Sequence, residues 1–191
     1  MRHGEPVGGR AFRGHRIDDS LSEPGWQQMW NAVPAEMPWQ HIVTSPLVRC
    51  RAFAAALAEK HNLPLTVEED FKEVGFGDWE GRTPDEIMAD NIEAYTAFFR
   101  DPVNSRPAGA ERLDEFSDRV SRAYERLLQN TSAESILVVA HAGVMRAIII
   151  HVLGAPLVSM YRIKIENAGL VRIRVNSFGS QLEMLNGQMA K

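Results

Sequence analysis

The chain begins Met1-Arg2-His3-Gly4-Glu5-Pro6, which sets a cation, a titratable nucleophile and a flexible backbone position side by side. That trio suits attack by an imidazole on the phosphorus of a phosphate ester. The ring must be neutral to offer a lone pair, and a flanking guanidinium disfavours its protonation while binding phosphate oxygens bidentately. Glycine lets the chain turn sharply and lets its backbone approach an anion. Three such residues also occur in ordinary solvated termini, so the other polar clusters carry the weight. Ser45 to Arg51 follows the strand candidate His41-Ile42-Val43-Thr44, and His141-Ala142-Gly143 follows the clearest buried-strand run, Ile136-Leu137-Val138-Val139-Ala140. Each cluster leads into a helix, whose unpaired N-terminal amides favour anions. Pattern alone predicts a crevice with two histidines, at least two arginines and helix dipoles: an anion site.

Each of these residues also has an ordinary reading. Arg49 could be a surface charge or a partner of Glu59 or Glu69, and His141 a core histidine bonded to backbone. Glu73 could be a solvated loop carboxylate and Trp79 a hydrophobic plug. His15, His41, His61 and His151 read as ordinary histidines. The six histidines show no H-x-x-x-H or H-E-x-x-H spacing, and one cysteine offers no pair, so no metal site and no cofactor is expected.

The elements that must position these groups alternate. A loop from Gly8 to Asp19 carries Arg10, Arg13, Arg16 and His15. A helix capped by Ser22 runs to about Val33. Another opens at Ser45-Pro46 and runs to about His61, with Leu47, Phe53, Ala54, Leu57 and Ala58 as its apolar stripe. Leu65 to Val67 is a short strand, and a glycine-rich loop from Asp70 to Arg82 holds Glu73 and Trp79. A capping pattern at Thr83-Pro84-Asp85-Glu86 starts a helix to about Phe99. The next runs from Arg112 to Gln129, with Leu113, Phe116, Val120, Ala123 and Leu127 at helical spacing. After His141-Ala142-Gly143 an apolar helix extends to about Leu153. Two β-rich runs between Tyr161 and Val175 flank Asn167-Ala168-Gly169 and predict a hairpin there. This alternation predicts an α/β three-layer sandwich: a mainly parallel sheet, helices on both faces, and ligands at the carboxyl ends of the strands.

With 191 residues, 45% hydrophobic and 24% charged, the chain has the dimensions of one soluble domain, residues 1–191, with a helical insert at about 84–130. A net charge of −4 argues against nucleic acid or an anionic membrane as principal partner. The lone Cys50, the short apolar runs and the lack of a signal peptide predict a cytoplasmic protein. A small-molecule phosphate ester is the expected partner, with a homodimer allowed.

In order along nearly the whole chain, these segments resemble the histidine phosphatase superfamily of phosphoglycerate mutases, α-ribazole phosphatases and fructose-2,6-bisphosphatases. Arg2-His3-Gly4-Glu5 resembles its name-giving motif. Gly14, Asp18, Leu21-Ser22, Gly25 and Gln28 resemble the G…D…L-T…G…Q pattern that follows, with one extra residue between Gly14 and Asp18. Ser45-Pro46-Leu47-Val48-Arg49-Cys50 is similar to S-x-L-x-R-A, and Glu73 to Gly81 to E-x-x-x-G-x-W-E-G. Pro107 to Glu111 is similar to P-x-G-G-E, and Val139 to Arg146 to the segment with the second histidine.

The resemblance implies a phosphoglycerate mutase-like fold and a role for each residue. His3 would attack phosphorus and become phosphohistidine, while Arg2 and Arg49 clamp the equatorial oxygens and His141 adds a donor. Glu73, screened from water by Phe76 or Trp79, would protonate the leaving alkoxide and later deprotonate water. Many members carry asparagine about six residues beyond the nucleophile, where this chain has Gly9; Arg10 or Arg13 is expected to contribute instead. The implied binding set is therefore Arg2, Gly4, Gly9, Arg10, Arg13, Arg49, His141 and Ala142. The family's first strand precedes the arginine–histidine motif, so residues upstream of Met1 are expected to supply it. Gly77-Asp78-Trp79-Glu80 and the short length favour a small phosphatase acting on α-ribazole phosphate or a sugar phosphate. The alternatives are a phosphoglycerate mutase-type phosphotransferase and a phospholigand-binding module with weak turnover.

Overall fold

The computed structural model describes residues 1–187. Its parallel sheet has the order β2-β1-β3, with β1 spanning His41–Thr44, β2 Leu65–Val67 and β3 Ile136–Val139. Ile42 pairs with Leu137 and Val43 with Val138. Strand side chains alternate between faces. Ile42, Leu137 and Val139 join one core with Met29 and Phe53, from α1 (Glu23–Ala32) and α2 (Val48–His61). Val43 joins a second core with Phe98, Phe116 and Val144, from α3 (Pro84–Arg100), α4 (Leu113–Asn130) and α5 (Ala142–Leu153). Helices thus cover both faces, as the predicted sandwich requires. No helix among the described residues is long and apolar enough to cross a membrane.

Residues 1–3 lie along the other edge of β3. Ala140 N–H donates to Met1 O and His3 N–H to Ala140 O, each at 3.0 Å, and Arg2 and Ala140 form a parallel bridge. On its far side this stretch meets Gly169, whose carbonyl accepts Arg2 N–H, also at 3.0 Å. Beyond it, β3 and β4 (Leu170–Asn176) face each other across a cavity of about 760 Å³ lined by Val138, Ile148 and Ile173 among others.

Three local expectations are corrected. The second helix starts at Val48 rather than Ser45, because Leu47 at its N-cap is extended and the Ser45 hydroxyl bonds elsewhere. The helix from Pro84 is kinked at Asn91 (φ −155°, ψ 83°), whose side-chain oxygen accepts Ala94 N–H and restarts the helix. The hairpin lies further on than predicted. Leu157–Arg162 is 3₁₀-helical, and Asn167-Ala168-Gly169 bends against residues 2–3 instead of joining strands. The two antiparallel strands are β4 and β5 (Gly179–Gly187), turning between Asn176 and Gly179.

Candidate active site

His3 stands where residues 1–3 end against the carboxyl end of β3. Gly4, just beyond, packs backbone to backbone on the first turn of α1: a Cβ there would lie 2.2 Å from Gly25 O. Close packing, rather than a sharp turn, is what glycine provides here. His3 is buried, and its Nδ1 lies 2.7 Å from Gly4 O. A carbonyl can only accept, so Nδ1 carries the ring proton and Nε2 keeps a lone pair. Burial, then the neighbouring Arg49 and Arg2, hold the His3 pKa well below its ordinary 6.5. The ring is neutral at physiological pH.

His141 is the N-cap of α5 and 0% exposed, with its ring centroid 5.2 Å from that of His3. Burial, Arg49 and His3 hold its pKa low as well. Its Nε2 lies 2.6 Å from Ser45 Oγ, which accepts Leu47 N–H at 3.3 Å. Ser45 Oγ thus bridges the Leu47 amide and the His141 ring and fixes how the ring is turned. Beneath the ring, the Cys50 thiol donates to Ala140 O at 3.3 Å; burial pushes its pKa up to about 12, so it stays a thiol.

Two guanidiniums flank the histidines. Arg2 Nη1 donates to Ile165 O at 2.6 Å, and burial lowers its pKa to about 10 without removing the charge. Arg49, 1% exposed, donates from Nη2 to Gly14 O at 2.7 Å and from Nη1 to Ile17 O at 3.0 Å. Asp18 Oδ1 lies 3.8 Å from Arg49 Nη1, so neither Glu59 nor Glu69 is needed as its partner. In both arginines Nε is buried with no hydrogen-bond partner. Buried donors are rarely left so, and these can bond an oxyanion set between the arginines.

Glu73 approaches from the loop after β2. Its Oε2 accepts Gly143 N–H at 3.2 Å, in the first turn of α5, and Oε1 accepts Val74 N–H at 3.0 Å. A Cβ on Gly143 would lie 2.2 Å from Glu73 Oε1 and 3.3 Å from Phe116 Cζ, so Phe116 closes on the same spot. Phe76 and Trp79 stack instead with Phe12 and Phe98.

The structure therefore brings Arg2, His3, Arg49, Glu73 and His141 together from four segments. Ala142 joins them at the start of α5. The loop residues differ among themselves. Arg13 is buried and holds its own loop, donating to Asp19 Oδ2 at 2.9 Å and Val7 O at 2.7 Å. Arg10 is exposed, and Gly9 takes a positive φ of 67° in a turn. Sequence reasoning passed over four contributors: Ser45 as a bridge between Leu47 N–H and the His141 ring, Asp18 beside Arg49, Gly143 under Glu73, and Arg119 behind the Glu73 loop. Asp18, Ser45 and Gly143 fall inside the motif segments, which was the available signal. Among the described residues, no three metal-ligating side chains gather.

Comparison with known proteins agrees with this geometry. The adenosylcobalamin/α-ribazole phosphatase of Escherichia coli K12 is 29% identical over 192 residues, covering 98% of this chain and 94% of the relative. The crystal structure of the α-ribazole phosphatase from Shigella flexneri superposes with a TM-score of 0.85 at 28% identity, covering 98% of this chain and 94% of that one. A mycobacterial glucosyl-3-phosphoglycerate phosphatase in complex with VO3 superposes at 0.83 with 26% identity, covering 98% and 96%. The profile of the histidine phosphatase superfamily (branch 1) matches residues 1–188, and the chain belongs to that family.

Proposed function

We propose that the protein is a phosphatase that hydrolyses a small-molecule phosphate monoester through a phosphohistidine on His3. The observation that carries this reading is the state of His3: a buried, neutral imidazole whose Nδ1 faces Gly4 O, leaving Nε2 as a lone pair between two arginines. In the first step Nε2 attacks phosphorus and the bond to the leaving oxygen breaks. Arg2, Arg49 and His141 stabilise charge on the equatorial oxygens. Glu73 gives its proton to the leaving alkoxide. In the second step water attacks phosphohistidine, Glu73 takes the water's proton, and inorganic phosphate leaves.

The relatives' names support a small ester as substrate, with α-ribazole phosphate or a phosphorylated sugar derivative first among those to try. A cytoplasmic location is supported by a single cysteine kept as a buried thiol. A panel of phosphate monoesters assayed with wild type and His3→Ala tests the reading. Wild type should turn over at least one ester and, after rapid acid-free quenching, yield a base-stable, acid-labile phosphoenzyme. His3→Ala should do neither; hydrolysis by His3→Ala at the wild-type rate refutes the covalent route.

A further inference from the structure

A carboxyl that hands over a proton must be held still, and the loop carrying Glu73 has only two short 3₁₀ turns, Glu69–Phe71 and Gly77–Trp79, to stiffen it. One guanidinium gathers that loop. Arg119, on α4 and 11% exposed, donates from Nη1 to the carbonyls of Asp70 and Lys72 and from Nη2 to the carbonyl of Glu73 at 3.3 Å. Its Nε and Nη2 also grip both oxygens of Glu111, at 2.7 and 3.0 Å. Glu111 extends the grip across the loop: its Oε2 accepts Gly75 N–H at 3.0 Å, and its own N–H donates to Gly75 O at 3.1 Å. Burial opposes charge on Glu111, but the bonds from Arg119 and Gly75 outweigh it and hold its pKa below the usual range. His15 Nδ1 lies 3.0 Å from the same Glu73 carbonyl.

Residues 70, 72, 73 and 75 are thus fixed on both sides of the Glu73 side chain by the Arg119–Glu111 ion pair, with His15 at Glu73 O and Arg106, at 2.9 Å from Gly75 O, adding to it. Only arginine can serve there, because three backbone acceptors and a bidentate carboxylate need a planar fork of donors. We propose that Arg119, braced by Glu111, is a positioning residue that aims the Glu73 carboxyl at the leaving oxygen. Its hydrogen bonds go to Glu111 and the Glu73 loop and to none of Arg2, His3, Arg49 or His141, although its charge also helps to hold the His141 pKa low. Lysine in its place keeps that charge and loses the fork, so the variant tests positioning, and the inference rests on Glu73 being the acid.

The test measures the phosphorylation step by single-turnover kinetics for Glu73→Gln, Arg119→Lys and their double variant. Two esters are compared, an alkyl phosphate and nitrophenyl phosphate. Arg119→Lys should slow phosphorylation by the alkyl ester about 100-fold, within the range of general acid catalysis, and by the aryl ester less than about threefold. In the Glu73→Gln background it should add nothing, since a residue acting through another shows no independent effect. Equal slowing of both esters by Arg119→Lys, or slowing that multiplies in the double variant, overturns the positioning role. Equal slowing of both esters by Glu73→Gln alone instead overturns the acid assignment beneath it. If Arg119→Lys fails to fold, Glu111→Gln carries the same expectations in single and double form and decides the question.

Discussion

Ser45 Oγ and His141 Nε2 lie 2.6 Å apart inside the protein, both residues fully buried, joining the segment before α2 to the start of α5. This contact fixes the orientation of the His141 ring. Replacing Ser45 by alanine takes from the buried Nε2 its short hydrogen bond and leaves it only the weak contact with the Cys50 thiol at 3.6 Å, at a cost of about 1–3 kcal/mol in stability. The ring also loses its orientation. We expect Ser45→Ala to lower Tm and to reduce kcat, by less than His141→Ala, for which loss of a transition-state donor costs roughly 10²–10³-fold. Parallel thermal melts and steady-state assays of the two variants check the ranking. A Ser45→Ala enzyme with wild-type kcat would show that His141 is oriented by other groups.

Gly143 has no room for a side chain on the Glu73 side, where a Cβ would lie 2.2 Å from Oε1. The clash is with the end of a flexible side chain, so the fold can yield by moving the carboxyl. Gly143→Ala should therefore leave Tm within a few degrees of wild type yet slow turnover of alkyl phosphates by up to roughly 10²–10⁴-fold, the span of general acid–base assistance. Phosphorylation by nitrophenyl phosphate, whose leaving group needs little protonation, should change only a few-fold. Equal damage to both esters would place Glu73 in a different role.

His3 and His141 both have folded pKa values well below their ordinary 6.5. The unfolded chain therefore binds more protons than the folded one from about pH 6.5 down to the folded values. Stability from these groups is fully present above pH 6.5 and is lost as pH falls through that window. The slope approaches about 1.4 kcal/mol per pH unit for each group. Urea unfolding from pH 7.5 to 5 should show this decline, and His3→Ala should make it shallower. The same depression keeps the nucleophile unprotonated, so phosphorylation should show no acid-side break near pH 6.5. An identical pH slope in His3→Ala would mean that other groups govern it.

On the proposed mechanism, positive charge at the reacting phosphoryl group comes from Arg2 and Arg49, each holding a buried Nε without a partner. Turnover should accordingly persist after dialysis against EDTA, while Arg49→Met should lower kcat/KM steeply. Loss of activity in EDTA that a divalent ion restores would move phosphate activation from the arginines to a metal.

Some of this was legible in one dimension. The stripe Leu113, Phe116, Val120 and Ala123 is buried as its spacing requires. The alternation in β1 and β3 splits their residues between two cores, as period-two strands must. The hairpin was not legible in the same way. Asn167-Ala168-Gly169 and Asn176 to Gly179 both carry turn-forming residues, and local propensity cannot rank them. Contact with residues 2–3 takes the first for a bend, so the second makes the turn.

What the sequence determined by itself was the inventory and the period: a histidine next to an arginine, two strand ends leading into helices, a glutamate in a glycine-rich loop. Those are properties of neighbours along the chain. What the tertiary structure decided was which polar atoms find each other. Arg2 bonds the carbonyl of Ile165, Glu73 the amide of Gly143, Arg119 the carbonyls of Asp70, Lys72 and Glu73, each across tens of residues or more. Among the loop arginines, Arg13 is spent on its own loop while Arg10 reaches solvent, a difference set by burial and not by residue type. The physical reason is common to all of them. A buried polar group must be satisfied by whatever atom the packed fold brings within about 3 Å, and that distance is a property of the fold in three dimensions.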